Sequence, residues 1–153
     1  MTRTADLTAE GRDPLALDQQ VCFALAVASR NVIALYRPLL EPMGLTHPQY
    51  LVMLALWQHS PLSVKDLSRL LQLDPGTLSP LLKRLEAAGL VRRQRAPQDE
   101  RTLAVTLTET GQALRAEAEK IPAAVVDRLG MPLDELLRLH AALTRVIEVT
   151  REL

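Results

Sequence analysis

The sequence predicts a mainly α-helical chain that carries one small β-hairpin. Three observations lead there. Two short helices with clear start signals stand back to back between Ser63 and Gly89. Two β-rich runs follow at once, Leu90 to Arg95 and Arg101 to Leu107, crowded with arginine. Longer, apolar-striped helices bracket this central part on both sides. Together these outline a winged helix-turn-helix with N- and C-terminal dimerisation helices.

Bulk properties narrow the class. The chain has 153 residues, enough for one domain with one sizeable core. Apolar residues make up 48%, which argues against disorder. The aromatics are Phe23, Tyr36, Tyr50 and Trp57. So few stacking platforms disfavour a reader of single-stranded nucleic acid. Lys plus Arg and Asp plus Glu each number 18, yet Pro61 to Leu107 holds eight basic and five acidic residues. That stretch is basic and the remainder acidic, which suits docking to phosphate by one face. The single cysteine, Cys22, excludes internal disulfides and Cys-rich metal sites. The apolar run Tyr50 to Trp57 is too short to span a bilayer, and the opening MTRTADLTAEGRDP lacks the apolar core of a signal peptide. These point to a cytoplasmic protein without membrane contact, whose thiol stays reduced until something oxidises it.

Along the chain, residues 1–16 read as a flexible tail and 17–153 as a single domain. Its winged helix-turn-helix spans about 45–108, with dimerisation helices at about 17–44 and 109–153. Leu17, Val21, Leu25, Ala28, Val32 and Leu35 form one helical stripe, and Cys22, Ala26, Ser29, Ile33 and Tyr36 form a second beside it. Two adjacent apolar stripes predict burial on more than one side, hence packing against a partner chain. Pro38, Pro42 and Gly44 end or bend this helix. The next starts at Thr46 as N-cap with Gln49 in a capping box and Pro48 in the first turn, and its YLVMLALWQ body predicts a core helix. Ser63 with Asp66 opens a third helix, with Val64, Leu67, Leu70 and Leu71 inward. Asp74 caps a fourth, Pro75 is its first residue, and Gly89 stops it. Leu78, Leu81, Leu82 and Leu85 face inward there. Thr77, Ser79, Pro80, Lys83, Arg84 and Glu86 lie outside or on the flank, the layout of a major-groove recognition helix. Pro80 removes a helical bond, which predicts a slight kink, and its ring could rest on a thymine methyl.

Ala96 to Glu100 forms the hairpin loop. Thr108 caps a helix that bends near Pro122 and ends by Gly130. The last helix runs from about Leu133 to Arg151, with Leu133, Leu136, Leu137, His140, Leu143 and Ile147 on one side. Dimeric helix-turn-helix proteins place two readers about one helical turn apart, so a pseudo-palindromic double-stranded operator is the expected partner of a homodimer. The candidate DNA-binding residues are Asp74, Thr77, Ser79, Lys83, Arg84, Arg93, Arg95, Asp99 and Arg101. The plainer alternatives stand beside them: Asp74 as a cap, Arg101 ion-paired to Asp99, and the polar residues as ordinary solvated side chains. Cys22 has two readings as well, a small core residue or a reactive thiol. Tyr36 lies 14 residues beyond it, roughly 21 Å along a straight helix, so the two can meet only through a second chain or a sharp fold.

DPGTLSPLLKRLEAAGLVRR followed by DERTLAVTLTETG resembles the MarR family of winged-helix repressors over roughly residues 17–152. The N-terminal half, QQVCFALAVASRNVIALYRPLLEPMGLTHPQYLVMLALW, is similar to the organic-hydroperoxide-responsive OhrR group, in the subtype with one cysteine. The resemblance implies a dimer that represses when reduced and releases DNA once an organic hydroperoxide oxidises Cys22. It implies that the cysteine sulfur is bonded to two tyrosines of the other subunit. One matches Tyr36. The other matches position 47, where this chain departs from the pattern with His47. With no second cysteine, the oxidised sulfur would await a small thiol or over-oxidise. Cys22, Tyr36 and His47 are therefore the redox-sensing candidates. At a helix N-terminus, His47 is expected to be neutral.

Two rival readings remain. A thiol peroxidase would use Cys22 with His47 as nucleophile and base. A repressor released by a small aromatic ligand would not need Cys22 at all. No phosphate-cradling loop, Ser/His/Asp arrangement or metal-ligand spacing among His47, His59 and His140 supports an enzyme, and neither a cofactor nor a metal is expected.

Overall fold

The computed structural model describes residues 13–96 and 99–151, and the side chains of 96–102 lie outside the described ones. The chain divides into two compact units, one ending at His47 and one starting at Pro48.

In the first unit, residues 13–16 form a turn that leads through a short 3-10 helix, Leu17–Gln19, into α1, Val21–Leu40. The Asp13 carboxylate accepts from the Leu15 N–H at 3.0 Å, and the Gln20 amide donates back to Pro14 O at 2.9 Å and Ala16 O at 3.0 Å. The approach to α1 thus has partners for its backbone. The first twelve residues of the expected tail lie outside the described residues.

The group Pro38, Pro42 and Gly44 is expected to end or bend the helix; α1 runs through Pro38 and stops at Leu40. A 3-10 turn, Glu41–Met43, follows with Pro42 near its start, and Gly44 closes it at φ +68°. That left-handed conformation is what demands glycine, because a Cβ there would meet nothing within 4 Å. Val21–Met43 together are long and apolar enough, by length and composition alone, to cross a bilayer. Ser29, Arg30 and Asn31 interrupt the stretch, so it holds no long unbroken apolar run.

The second unit is built on three helices. Helix α2, His47–His59, enters it at Pro48 and buries Gln49, Tyr50, Val52, Met53, Ala55 and Leu56. Helix α3, Val64–Leu71, is capped by the Ser63 hydroxyl, which accepts from the Asp66 N–H at 3.0 Å. Of its four expected core residues only Leu67 is buried, and Leu70 is 50% exposed. Leu70 and Leu71 instead border a small groove against Leu51, Leu54 and Ala55 of α2. Helix α4, Pro75–Ala87, buries the expected Leu78, Leu81, Leu82 and Leu85. Each fully buried leucine contributes about 1.5–3 kcal/mol, so this row anchors the helix.

Pro80 does not split α4. A proline inside a helix costs about 3 kcal/mol or more, through the lost bond to the carbonyl four residues back and the clash with it. The leucine row holds the helix despite that cost.

The hairpin comprises β2, Val91–Ala96, and β3, Asp99–Leu107. It was expected to have two strands, but the sheet has three. A two-residue strand, β1, Leu62–Ser63, pairs antiparallel with β3 in the order β1-β3-β2. Two residues are too few to show a period-two pattern, which is why β1 was not foreseen. Val91 and Val105 face the core, and the register shifts between Arg95 and Ala96. The expected loop residues Pro97 and Gln98 lie outside the described residues.

The helix predicted from Thr108 to Gly130 is broken into α5, Glu109–Ala113, α6, Arg115–Ala118, and α7, Ile121–Leu129. Two causes are visible. The Trp57 indole donates to Gly111 O at 2.9 Å, drawing on a carbonyl that an unbroken helix would offer to Arg115 N–H. Pro122 lacks the donor that Ala118 O would need. Gly111 itself is required by close approach, since a Cβ there would lie 2.1 Å from Leu90 O. Thr108 caps α5 as expected, accepting from the Gly111 N–H at 3.0 Å while donating to Gly89 O at 2.6 Å. Helix α8, Leu133–Arg151, has no buried residue within the single chain.

Candidate nucleic-acid interface and cysteine site

Helix α4 sets the geometry of the reading face. At 100° per residue, the stripe opposite the leucine row is Gly76, Pro80, Lys83 and Ala87. Thr77 and Arg84 flank it on one side, Ser79 and Glu86 on the other. Thr77, Pro80, Lys83, Arg84 and Glu86 are exposed and Ser79 is half-buried. The outward face therefore begins small and neutral and becomes basic one turn later. Asp74 acts as the cap: its Oδ1 accepts from the Thr77 N–H at 2.6 Å, and hydrogen bonding from the Thr77 side chain and backbone holds its carboxyl below the usual range.

The wing places its arginines unequally. Arg92 and Arg95 are exposed, whereas Arg93 is half-buried and bound to Glu86. The Glu86 carboxylate accepts from the Arg93 backbone N–H at 3.1 Å and from its guanidinium at 3.3 Å. Those bonds lower the Glu86 carboxyl pKa. One carboxylate thus ties β2 to α4, and Arg93 is partly occupied within the fold. The sequence pattern marks Glu86 only as a flank residue. Its distance from Arg93 in sequence, across a turn and a strand, hid the pairing. Asp99 and Arg101 lie on β3 by their backbone, and their side chains are outside the described residues.

Cys22 stands in the first turn of α1 and is exposed. Tyr36 lies on the same uninterrupted helix, so the two side chains are held apart within one chain. Tyr36 instead meets His47 edge to face, with ring centroids 4.9 Å apart and planes at 63°. Burial raises the Tyr36 phenol pKa and lowers that of the His47 imidazole. Both rings therefore favour their neutral forms, the phenol able to donate and the imidazole to donate at one nitrogen and accept at the other. The three sensing candidates form a pair plus a separate thiol.

A cavity of about 550 Å³ was not anticipated. Tyr50, Leu54, Trp57, Gln58, Arg115 and Pro122 line it. The Arg115 guanidinium donates to Trp57 O at 3.1 Å and to Glu119 at 3.2 Å. No sequence spacing links Trp57 to Arg115, so only the folded chain reveals this wall.

A basic hairpin behind a capped helix pair, with a short third strand closing the sheet, defines a winged helix-turn-helix protein. Comparison with known proteins narrows the class. The MarR family profile matches residues 45–103. The chain is 39% identical to the "Organic hydroperoxide resistance transcriptional regulator" of Bacillus subtilis (strain 168), over 92% of this chain and 95% of that protein. It is 47% identical to the "HTH-type transcriptional regulator TtmR" of Methylorubrum extorquens (strain PA1), over 87% of this chain and 69% of that protein. Among solved structures it is similar to reduced AbfR bound to DNA, a protein of Staphylococcus epidermidis. That match has 36% identity and a TM-score of 0.73, over 88% of this chain and 94% of the other. The chain belongs to the MarR family, and the resemblance read from its cysteine and tyrosine segment is borne out by the Bacillus regulator.

Proposed function

We propose that this protein is a redox-responsive transcriptional repressor that binds double-stranded operator DNA as a homodimer in the cytoplasm. In this reading it is a regulator and not an enzyme. The observation that carries the proposal is Cys22, the only cysteine, exposed on a helix whose apolar stripes a single chain leaves uncovered. Leu25 and Ile33 on α1, like Leu137 and Ile147 on α8, are exposed. A second copy is the natural cover for such faces, and it would bring the Tyr36–His47 pair of one chain toward Cys22 of the other. The chemistry balances with an organic hydroperoxide. The thiolate attacks the outer peroxide oxygen, the O–O bond breaks, an alcohol leaves with a proton, and the sulfur becomes a sulfenic acid. A small thiol then condenses with it, forming a disulfide and releasing water.

DNA contact is assigned to Thr77, Ser79, Lys83 and Arg84 on α4, and to Arg95 with Asp99 and Arg101 on the wing. Asp74 contributes by capping α4, and Arg93 through its tie to Glu86. The test is operator binding by wild type and Cys22→Ser, with and without cumene hydroperoxide. Wild type should lose binding on oxidation while Cys22→Ser keeps it. Retention of DNA by wild type whose Cys22 is demonstrably oxidised sinks the redox switch. Catalytic turnover of peroxide with excess thiol would instead mark a thiol peroxidase.

The cavity beside Trp57 favours a second reading, release by a small aromatic ligand. A Cys22→Ser protein that still releases DNA on addition of an aromatic carboxylate would support it.

A further inference from the structure

We propose that Pro80 is a specificity-determining residue, whose exposed ring reads the 5-methyl group of a thymine in the major groove. The inference rests on the DNA-binding reading above. Two prolines stand in α4, and the fold accounts for one. Pro75 is the first helical residue, where a missing N–H is harmless. Pro80 lies in the interior, where it cannot donate to Gly76 O. Pro80 is exposed, so burial gives little in return. A residue that opposes its own helix without a packing gain marks a position where function overrides folding.

Gly76, one turn earlier on the same stripe, is equally unexplained by the fold. Its φ is not left-handed, and a Cβ there would meet only Asp74 Oδ1 at 3.5 Å, an ordinary contact. Gly76 and Pro80 together give the first half of the outward stripe a low profile with no side-chain hydrogen-bonding group. The hydroxyls of Thr77 and Ser79 flank it, and Lys83 adds charge one turn on. The centre of this face can therefore read a base only by apolar contact. The apolar feature that a duplex presents in its major groove is the thymine methyl.

The test begins with the full-length protein selecting duplexes from a randomised library. Each thymine of the recovered site is then replaced singly by deoxyuridine, which removes only the methyl group. Binding of wild type and Pro80→Ala is measured by fluorescence anisotropy. One thymine in each half-site should be sensitive, with uracil weakening wild-type binding about threefold to tenfold. Pro80→Ala should bind the thymine duplex more weakly by a similar factor and no longer distinguish uracil. Its melting temperature should rise, which separates lost recognition from lost folding. The proposal is overturned if no position is uracil-sensitive in wild type, or if Pro80→Ala keeps the full sensitivity. A lower melting temperature for Pro80→Ala would also overturn it, by showing that the fold needs this proline. Failure to recover any duplex would remove the DNA-binding reading itself, a result distinct from binding that ignores the methyl group.

Discussion

Helices α4 and α1 are both rich in apolar residues, yet one chain satisfies only the first. In α4 the row Leu78, Leu81, Leu82 and Leu85 is buried, and the opposite stripe is small or charged. In α1 only Leu40 is buried, while Val21, Phe23, Leu25 and Ile33 stay exposed. The reading helix is thus fully packed within a single copy. The cysteine unit is unfinished until something covers its stripes. In the proposed redox switch, a change at Cys22 would act on an assembly and need not unfold a core.

The sharpest way to separate the two helices is to injure each. Leu82→Ala should cost about 2–5 kcal/mol, from lost transfer energy and the cavity left behind. Urea denaturation should show this as a lower midpoint with an unchanged slope. Leu25→Glu should act through association instead. Wild type should sediment as a dimer, with a melting temperature that rises with protein concentration. Leu25→Glu should sediment as a monomer and lose that dependence. If it remains dimeric with an unaltered melting curve, α1 does not line the interface.

The wing offers a finer contrast within the reading unit. Arg95 is exposed, whereas Arg93 is tied to Glu86. If Arg95 neutralises one phosphate, Arg95→Ala should reduce the slope of log affinity against log salt by about 1. Arg93→Met should weaken binding while leaving that slope near its wild-type value, because the Glu86 bonds position β2 rather than meet DNA. A drop in slope for Arg93→Met equal to that for Arg95→Ala would show both arginines on the phosphates.

Much of this was legible in the sequence because local chemistry declares itself. Asp74, Pro75 and Gly89 bounded α4, Thr108 capped α5, and the leucine spacing named the core row correctly. Strand β1 was hidden by its brevity, and the breaks at α5 and α6 by a tertiary bond from Trp57. Leu70 was assigned to the core because periodicity shows which face is apolar, not whether anything covers it. The same gap applies to the site. The sequence singled out Cys22, Tyr36 and His47, but the edge contact between Tyr36 and His47 depends on the turn around Gly44.

The smallest expected effect concerns the one position where this chain departs from the tyrosine pattern it resembles. Burial lowers the His47 pKa from the ordinary 6.5. The unfolded chain therefore binds a proton more readily than the folded one below that value. It follows that the folded state loses stability as pH falls from about 6.5 toward the lowered folded pKa, and gains nothing further above 6.5. Asp74 also has a lowered pKa, but its ordinary value is 3.8, so its contribution falls away at far more acid pH. His47→Tyr should remove the loss between pH 7.5 and 5.5, leaving a flatter melting-temperature profile than wild type across that window. The difference should be modest, since the imidazole is only partly buried. If both proteins show the same slope, His47 titrates alike in the folded and unfolded chains, and the Tyr36 contact does nothing to keep it neutral.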